Sequence, residues 1–178
     1  MTTEILATDT PQLFEQAVRR CAETLRAGGV VAVPTETVYG LAANAFDPHA
    51  VAQIYRIKER PANNPIIVHV AGLAMARSCV SHWPEQAEKL AATFWPGPLT
   101  LVLPRSHAVP DIVTAGGQTV AIRWPSHPFM QALIRACGFP LAAPSANLAS
   151  RTSPTCSDHV LRQLAGKLPI VVDGGASD

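Results

Sequence analysis

Charge is scarce in this chain, and lysine is scarcer. Charged residues make up 15% of the sequence, and three lysines (Lys58, Lys89 and Lys167) stand against eleven arginines. The formal net charge is +1, which excludes a global pull toward nucleic acid or a membrane surface and leaves only a local basic groove open. Long apolar runs are missing, so no segment suits a bilayer span. The opening MTTEILATDT lacks the basic-then-apolar order of a secretory signal. No C-x-x-C pair occurs. Cys21, Cys79, Cys137 and Cys156 are widely spaced, which predicts reduced thiols in a cytoplasmic protein rather than a disulfide framework or a zinc site. Neither a Walker A loop nor a G-x-G-x-x-G is present. Phosphates would therefore be bound by side chains more than by a glycine loop.

What is present is globular. Hydrophobic residues reach 48% over 178 residues, enough for a single domain, 1–178, with a substantial core. The sixteen prolines are dispersed and read as punctuation between short elements. Thr10 and Pro11 predict a helix start and Gly28-Gly29 its end. Leu13, Phe14, Ala17, Val18, Cys21 and Leu25 share one face of it. Further helices are predicted from Asp47-Pro48 to near Lys58, around Leu73 to Cys79, Pro84 to Phe94, His127 to Cys137, and Ser157 to Leu164. VVAVP, PIIVHV, LTLVLP, TVAIRW, PLAAPS and PIVVD read as strands. The mixture predicts an α/β fold: a single-domain twisted sheet of parallel and antiparallel strands flanked by helices, with LTLVLP and TVAIRW suited to pair antiparallel.

Four polar clusters fall at strand ends. PTETVYG follows VVAV and places Thr35, Glu36 and Thr37 where the backbone must turn; a capped turn explains them as well as a ligand does. KERPANNP sets Lys58 and Arg60 at a helix end, where cations suit the dipole, and Asn63-Asn64 before the next strand, with His69 inside that strand. Arg123 ends TVAIR, where a charge must reach solvent or meet an anion. Ser145 and Asn147 follow PLAAP and, two apart on extended chain, point the same way. Each cluster alone has an ordinary structural reading. Their conjunction is an anion-binding kit at the strand ends of an open α/β sheet, fit for a nucleoside triphosphate or an amino-acid carboxylate.

PTETVYGLAANA, the K-x-R of Lys58-Glu59-Arg60, NNPIIVH, WPGPLTLVL, VAIRWPSHP and PSANLASRTSPT occur in this order. Together they resemble the YrdC-like family of L-threonylcarbamoyladenylate synthases, over residues 15–175. The resemblance implies a YrdC-like sheet with a concave basic groove. It also implies a reaction in which L-threonine, bicarbonate or CO2, and ATP give threonylcarbamoyl-AMP and pyrophosphate. The product would pass to a separate threonylcarbamoyl transferase complex, which modifies tRNAs reading A-starting codons. Mg2+ would enter with ATP, with no protein metal site. By position, Thr37, His69, Arg123 and Ser145 would line the threonine pocket, with Arg123 on the carboxylate. Lys58, Arg60, Asn64, Thr119, Asn147 and Thr155 would face ATP, and Lys58 and Arg60 would be catalytic through their charge. The chain departs from the family pattern at Asn147-Leu148-Ala149-Ser150, where N-x-S-G is usual. Members of the family continue past Asp173-Gly174-Gly175 into a further strand, so the sequence is expected to be truncated at its C-terminus.

The competing reading is an RNA-binding module for tRNA or double-stranded RNA. Eleven arginines allow it and a net charge of +1 does not demand it. Relatives that adenylate carbamoyl phosphate carry extra regions that 178 residues cannot hold. An inactive fragment is the remaining alternative.

Overall fold

Short apolar runs become short strands in the computed structural model, which describes residues 2–177. In chain order the elements are β1 (Glu4–Ala7), α1 (Pro11–Arg26), β2 (Val31–Val33), β3 (Gly40–Asn44), α2 (Pro48–Lys58), β4 (Val68–His69), α3 (Leu73–Ser78), α4 (Glu85–Phe94), β5 (Thr100–Pro104), α5 (Asp111–Thr114), β6 (Thr119–Arg123), α6 (Pro128–Cys137), β7 (Leu141–Ala142), α7 (Ser157–Leu164) and β8 (Ile170–Asp173). The expected caps form. Thr10 accepts from the Leu13 amide at 3.2 Å, and Asp47 accepts from the His49 amide at 2.9 Å, each satisfying a donor that the first helical turn leaves open. Leu13 departs from the expected buried face of α1 and stays exposed, while Ala17, Cys21 and Leu25 are buried.

The strands form one sheet in the order β1-β8-β2-β3-β7-β4-β6-β5. It is mixed, as expected. β8 runs parallel to β1 and β2, and β4 parallel to β6, while β3 and β7 are antiparallel to their neighbours. LTLVLP and TVAIRW pair antiparallel as β5 and β6. Three elements were not expected from the sequence: β1, β3 and the single turn α5. β3 reads GLAAN, a composition with weak strand preference. It becomes a strand because it lies between β2 and β7 with small residues buried on both faces.

Register assigns the two faces. Val31 pairs with Ala42, Asn44 with Leu141, Leu141 with His69, His69 with Arg123, and Arg123 with Thr100. Directly paired residues share a face, and so do residues two apart on one strand. One face therefore runs from Val31 across to Thr100. Helices α1 and α6 cover it as far as β7, with Phe14 edge-on to Phe129 at 5.4 Å between ring centroids. Beyond β7, along β4, β6 and β5, no helix among the described residues lies on it, and Val102 is 63% exposed. From β8 to β5 the opposite face is buried, with Ala32, Leu41, Val68, Ile122 and Leu103 packed among residues of α2, α4 and α7, while at the β1 edge Ile5 is exposed. All four cysteines are unpaired.

Candidate active site

The first group of site residues forms around Lys58. Glu59 adopts a left-handed conformation (φ 53°) and ends α2, turning the chain between Lys58 and Arg60. Lys58 is buried, 1% exposed, not the solvated helix end that its sequence position allowed. Its ammonium donates to the carbonyl oxygens of Ser145 and of Asn147, the latter at 2.5 Å. Its own carbonyl accepts from the Ala149 amide at 2.8 Å. An ammonium has three donors, so one N–H remains after the two carbonyls are served. Burial, then the nearby charge of Arg60, lowers its pKa to about 8. The lysine is thus still mostly protonated at neutral pH, and poorly solvated.

Arg60 folds back on its own turn. Nε donates to the Asn64 carbonyl at 3.1 Å and Nη2 to the Pro65 carbonyl at 2.8 Å. The Val68–Ala142 register continues through the Ala143 amide, which donates to the Ile67 carbonyl at 3.1 Å, and sets Ser145 level with Pro65, whereas the Ile66 amide leaves β6 and bonds to the Val113 carbonyl at 2.8 Å. Lys58, Arg60, Asn64, Ser145 and Asn147 therefore gather at one end of the open face, and Thr119 opens β6 toward the same end.

The second group stands at the other end. Arg123, which is 8% exposed, pairs in register with His69. The PTETVYG loop reaches over to it. Arg123 Nη2 donates to Glu36 Oε1 at 2.6 Å and to Thr37 Oγ1 at 3.1 Å. Thr35 holds the loop in shape, donating to the Val38 carbonyl at 2.6 Å. Burial by itself would raise the Glu36 pKa, but the Arg123 hydrogen bond leads the opposing influences, and the carboxyl ends below its ordinary value. His69 is also lowered, from its ordinary 6.5 to about 4, by burial and then by the charge of Arg123. At neutral pH the imidazole is uncharged beside an ion pair.

The structure thus brings Thr37, His69 and Arg123 together. Ser145, whose carbonyl accepts from Lys58, bridges Gly40 at the foot of the same PTETVYG loop, and the next amide, of Ala146, donates to the Tyr39 carbonyl at 2.8 Å. Thr155 belongs to neither group. It lines a separate cleft of about 620 Å³ with Leu148, Arg151, His159 and Arg162. Its carbonyl accepts from the Ser177 amide at 2.8 Å, and the Ser177 hydroxyl donates to the Thr35 carbonyl at 2.9 Å. Residues 174–177 thereby tie the Thr155 loop to the PTETVYG loop. Glu36 had been read from the sequence only as part of a turn. The one signal for more was a carboxylate between two threonines directly after a buried strand.

Buried polar side-chain atoms are almost always hydrogen-bonded. Among the described residues five are not: Glu36 Oε2, His69 Nδ1, Arg123 Nε, Trp124 Nε1 and Asn147 Oδ1. All five belong to the strand-end motifs, and three meet in the Glu36–Arg123–His69 group. Such a concentration marks a place built to meet polar groups from outside the chain.

The family model Sua5_yciO_yrdC, described as telomere recombination, matches residues 23–178, and the chain belongs to that family. Threonylcarbamoyl-AMP synthase of Pyrococcus abyssi is 48% identical over 164 residues, covering 92% of this chain and 48% of that protein. The Bacillus subtilis enzyme of the same name is 49% identical over 174 residues, covering 97% and 49%. The chain thus spans about half the length of these curated relatives. The crystal structure of P. abyssi Sua5 complexed with L-threonine superposes with a TM-score of 0.93 at 44% identity, covering 99% of this chain and 51% of that one.

Proposed function

We propose that the chain is a single catalytic domain that makes L-threonylcarbamoyladenylate. The observation that carries this is the Arg123 group: a buried guanidinium with a spare donor beside a neutral histidine, in a chain 44% identical to a protein solved with L-threonine. Threonine would bind with its carboxylate on Arg123, among Thr37, His69 and Ser145. Its ammonium passes a proton to bicarbonate, which gives CO2 and water, and the neutral amine so formed adds to CO2, giving a carbamate and a proton that leaves to solvent. A carbamate oxygen then attacks the α-phosphorus of ATP, and pyrophosphate leaves. No side-chain nucleophile is required, so catalysis rests on positioning and charge neutralisation.

The remaining N–H of Lys58 would serve the second half of that task. It would neutralise charge between carbamate and phosphate, together with Arg60, Asn64, Thr119 and Asn147, and Thr155 would contact the nucleotide further out. No cluster of three or more His, Cys, Asp or Glu side chains fit to hold an ion occurs among the described residues. Mg2+ would come with the triphosphate, held by phosphate and water. The adenylate would then serve a separate transferase acting on tRNA. No helix among the described residues is long and apolar enough to cross a membrane.

The test is pyrophosphate release from ATP, bicarbonate and magnesium, with and without L-threonine. Threonine-dependent release supports the reading. A Lys58→Met protein that bound threonine yet kept the full rate would remove lysine from it.

A further inference from the structure

We propose that Glu36 receives the α-amino group of the substrate, so that the Glu36–Arg123 ion pair reads an amino acid as a zwitterion. The proposal rests on the reading of the site as an amino-acid pocket and adds a specificity residue to it.

The geometry is that of two half-used partners. One oxygen of Glu36 is bonded to Arg123 at 2.6 Å, and the other, Oε2, is buried and makes no hydrogen bond of ordinary geometry, with the backbone of Ser126 near the carboxylate. One Nη of Arg123 serves Glu36 and Thr37, while its Nε is also buried and unpartnered. The side chains are 14% and 10% exposed, so bulk water does not serve these atoms freely. A carboxylate oxygen only accepts, and a guanidinium N–H only donates. The pair therefore calls for a ligand that presents a donor and an acceptor side by side.

An α-amino acid does this, with ammonium and carboxylate on the order of 3 Å apart by standard backbone geometry. A plain carboxylic acid would satisfy Arg123 but would set its anion against Glu36 with nothing between them. A plain amine would leave Arg123 facing a cation. His69 stands beside the pair uncharged, so it adds no third charge to disturb the match. The lowered pKa of Glu36 suits a group that holds a cation, not one that takes its proton.

A merely structural Glu36, one that only steers Arg123, would affect every carboxylate ligand alike. The experiment therefore compares two ligands: L-threonine, and 3-hydroxybutanoate, which is the same skeleton without the amine. Each is titrated calorimetrically into wild type, Glu36→Gln and Glu36→Asp, with thermal melts to confirm folding. Wild type should prefer threonine by about a hundredfold or more, since a site built for a hydrogen-bonding group rejects the analogue lacking it. Glu36→Gln should lose at least about tenfold for threonine while 3-hydroxybutanoate binds as well or better. Glu36→Asp, which keeps the charge on a shorter arm, should retain part of the preference. Equal losses for both ligands, or no change for either, would overturn the proposal. So would Glu36→Asp showing no preference, which gives a second test should Glu36→Gln fail to fold. Wild type that binds threonine while these variants behave so leaves the amino-acid pocket standing. Wild type that binds no threonine removes the pocket and the proposal together.

Discussion

One sheet face is used in two ways. From β1 to β7 it is covered by α1 and α6, and its buried side chains, among them Val31, Val33, Ala42, Leu141 and Ile170, are apolar, with Glu4 and Asn44 outside that buried layer. From β4 to β5 the same face carries His69, Arg123, Thr119, Thr100 and Val102. The strands are joined by unbroken pairing across the boundary, so backbone geometry does not distinguish the halves. What differs is the cover: two packed helices on one side, and one polar loop, PTETVYG, on the other. Under helices, buried side chains can be apolar because everything around them is. Under a single loop, a charge can stay desolvated and still be reached by a small molecule. Stability and binding are therefore expected to separate along the β7–β4 boundary.

The largest effects should show that separation. Leu133 of α6 is fully buried in the covered half. Leu133→Ala should cost about 3–4 kcal/mol by urea denaturation, and threonine affinity of the folded fraction should stay within a factor of about two. Arg123→Ala should cost about 3 kcal/mol, because it leaves the Glu36 carboxylate buried without its partner. Unlike Leu133→Ala, it should also lower threonine affinity by about a hundredfold or more. A Leu133→Ala protein that lost binding in proportion to stability would erase the distinction.

The covered half was easier to read in the sequence than the open one. α1 and α6 announce themselves by caps, helical spacing and terminal glycines, and β8 by a short β-branched run. β3 was not legible, because GLAAN is a strand by position rather than by preference. In the open half, Arg123 and His69 were noticed as charges within apolar strands, and Lys58 as a rare lysine at a helix end. Their partners were not. Glu36 meets Arg123 across 87 positions of sequence, and the carbonyls that hold Lys58 are backbone atoms with no residue signature. Nothing in the sequence set Ser145 level with Pro65; the register of β7 against β4 does.

His69 gives the comparison a pH axis. Its folded pKa of about 4 lies below the ordinary 6.5. Between those values the unfolded chain takes up a proton that the folded chain refuses. Stability is therefore fully present above pH 6.5, falls as pH drops toward 4, and levels below that. The loss should approach about 3 kcal/mol. Glu36, whose pKa is also lowered, adds its loss in a more acid window, below its ordinary 4.5. Urea titrations of wild type and His69→Asn at pH 7 and pH 4.5 should show a steeper fall for wild type. Parallel curves would mean that the open half does not hold its histidine neutral.

The smallest effect is the sharpest contrast, because it uses one substitution twice. Val31 and Val102 point to the same sheet face, one fully buried under helices and one 63% exposed on the edge strand. Exchanging valine for threonine keeps the shape and replaces a methyl group by a hydroxyl. At Val31 the hydroxyl would enter an apolar layer, and Val31→Thr should cost about 2 kcal/mol. At Val102 it would meet water, and Val102→Thr should stay within about 0.5 kcal/mol of wild type. If Val102→Thr were as costly as Val31→Thr, something would have to cover β5 in solution that covers it nowhere among the described residues, and the open face would be smaller than the sheet pairing implies.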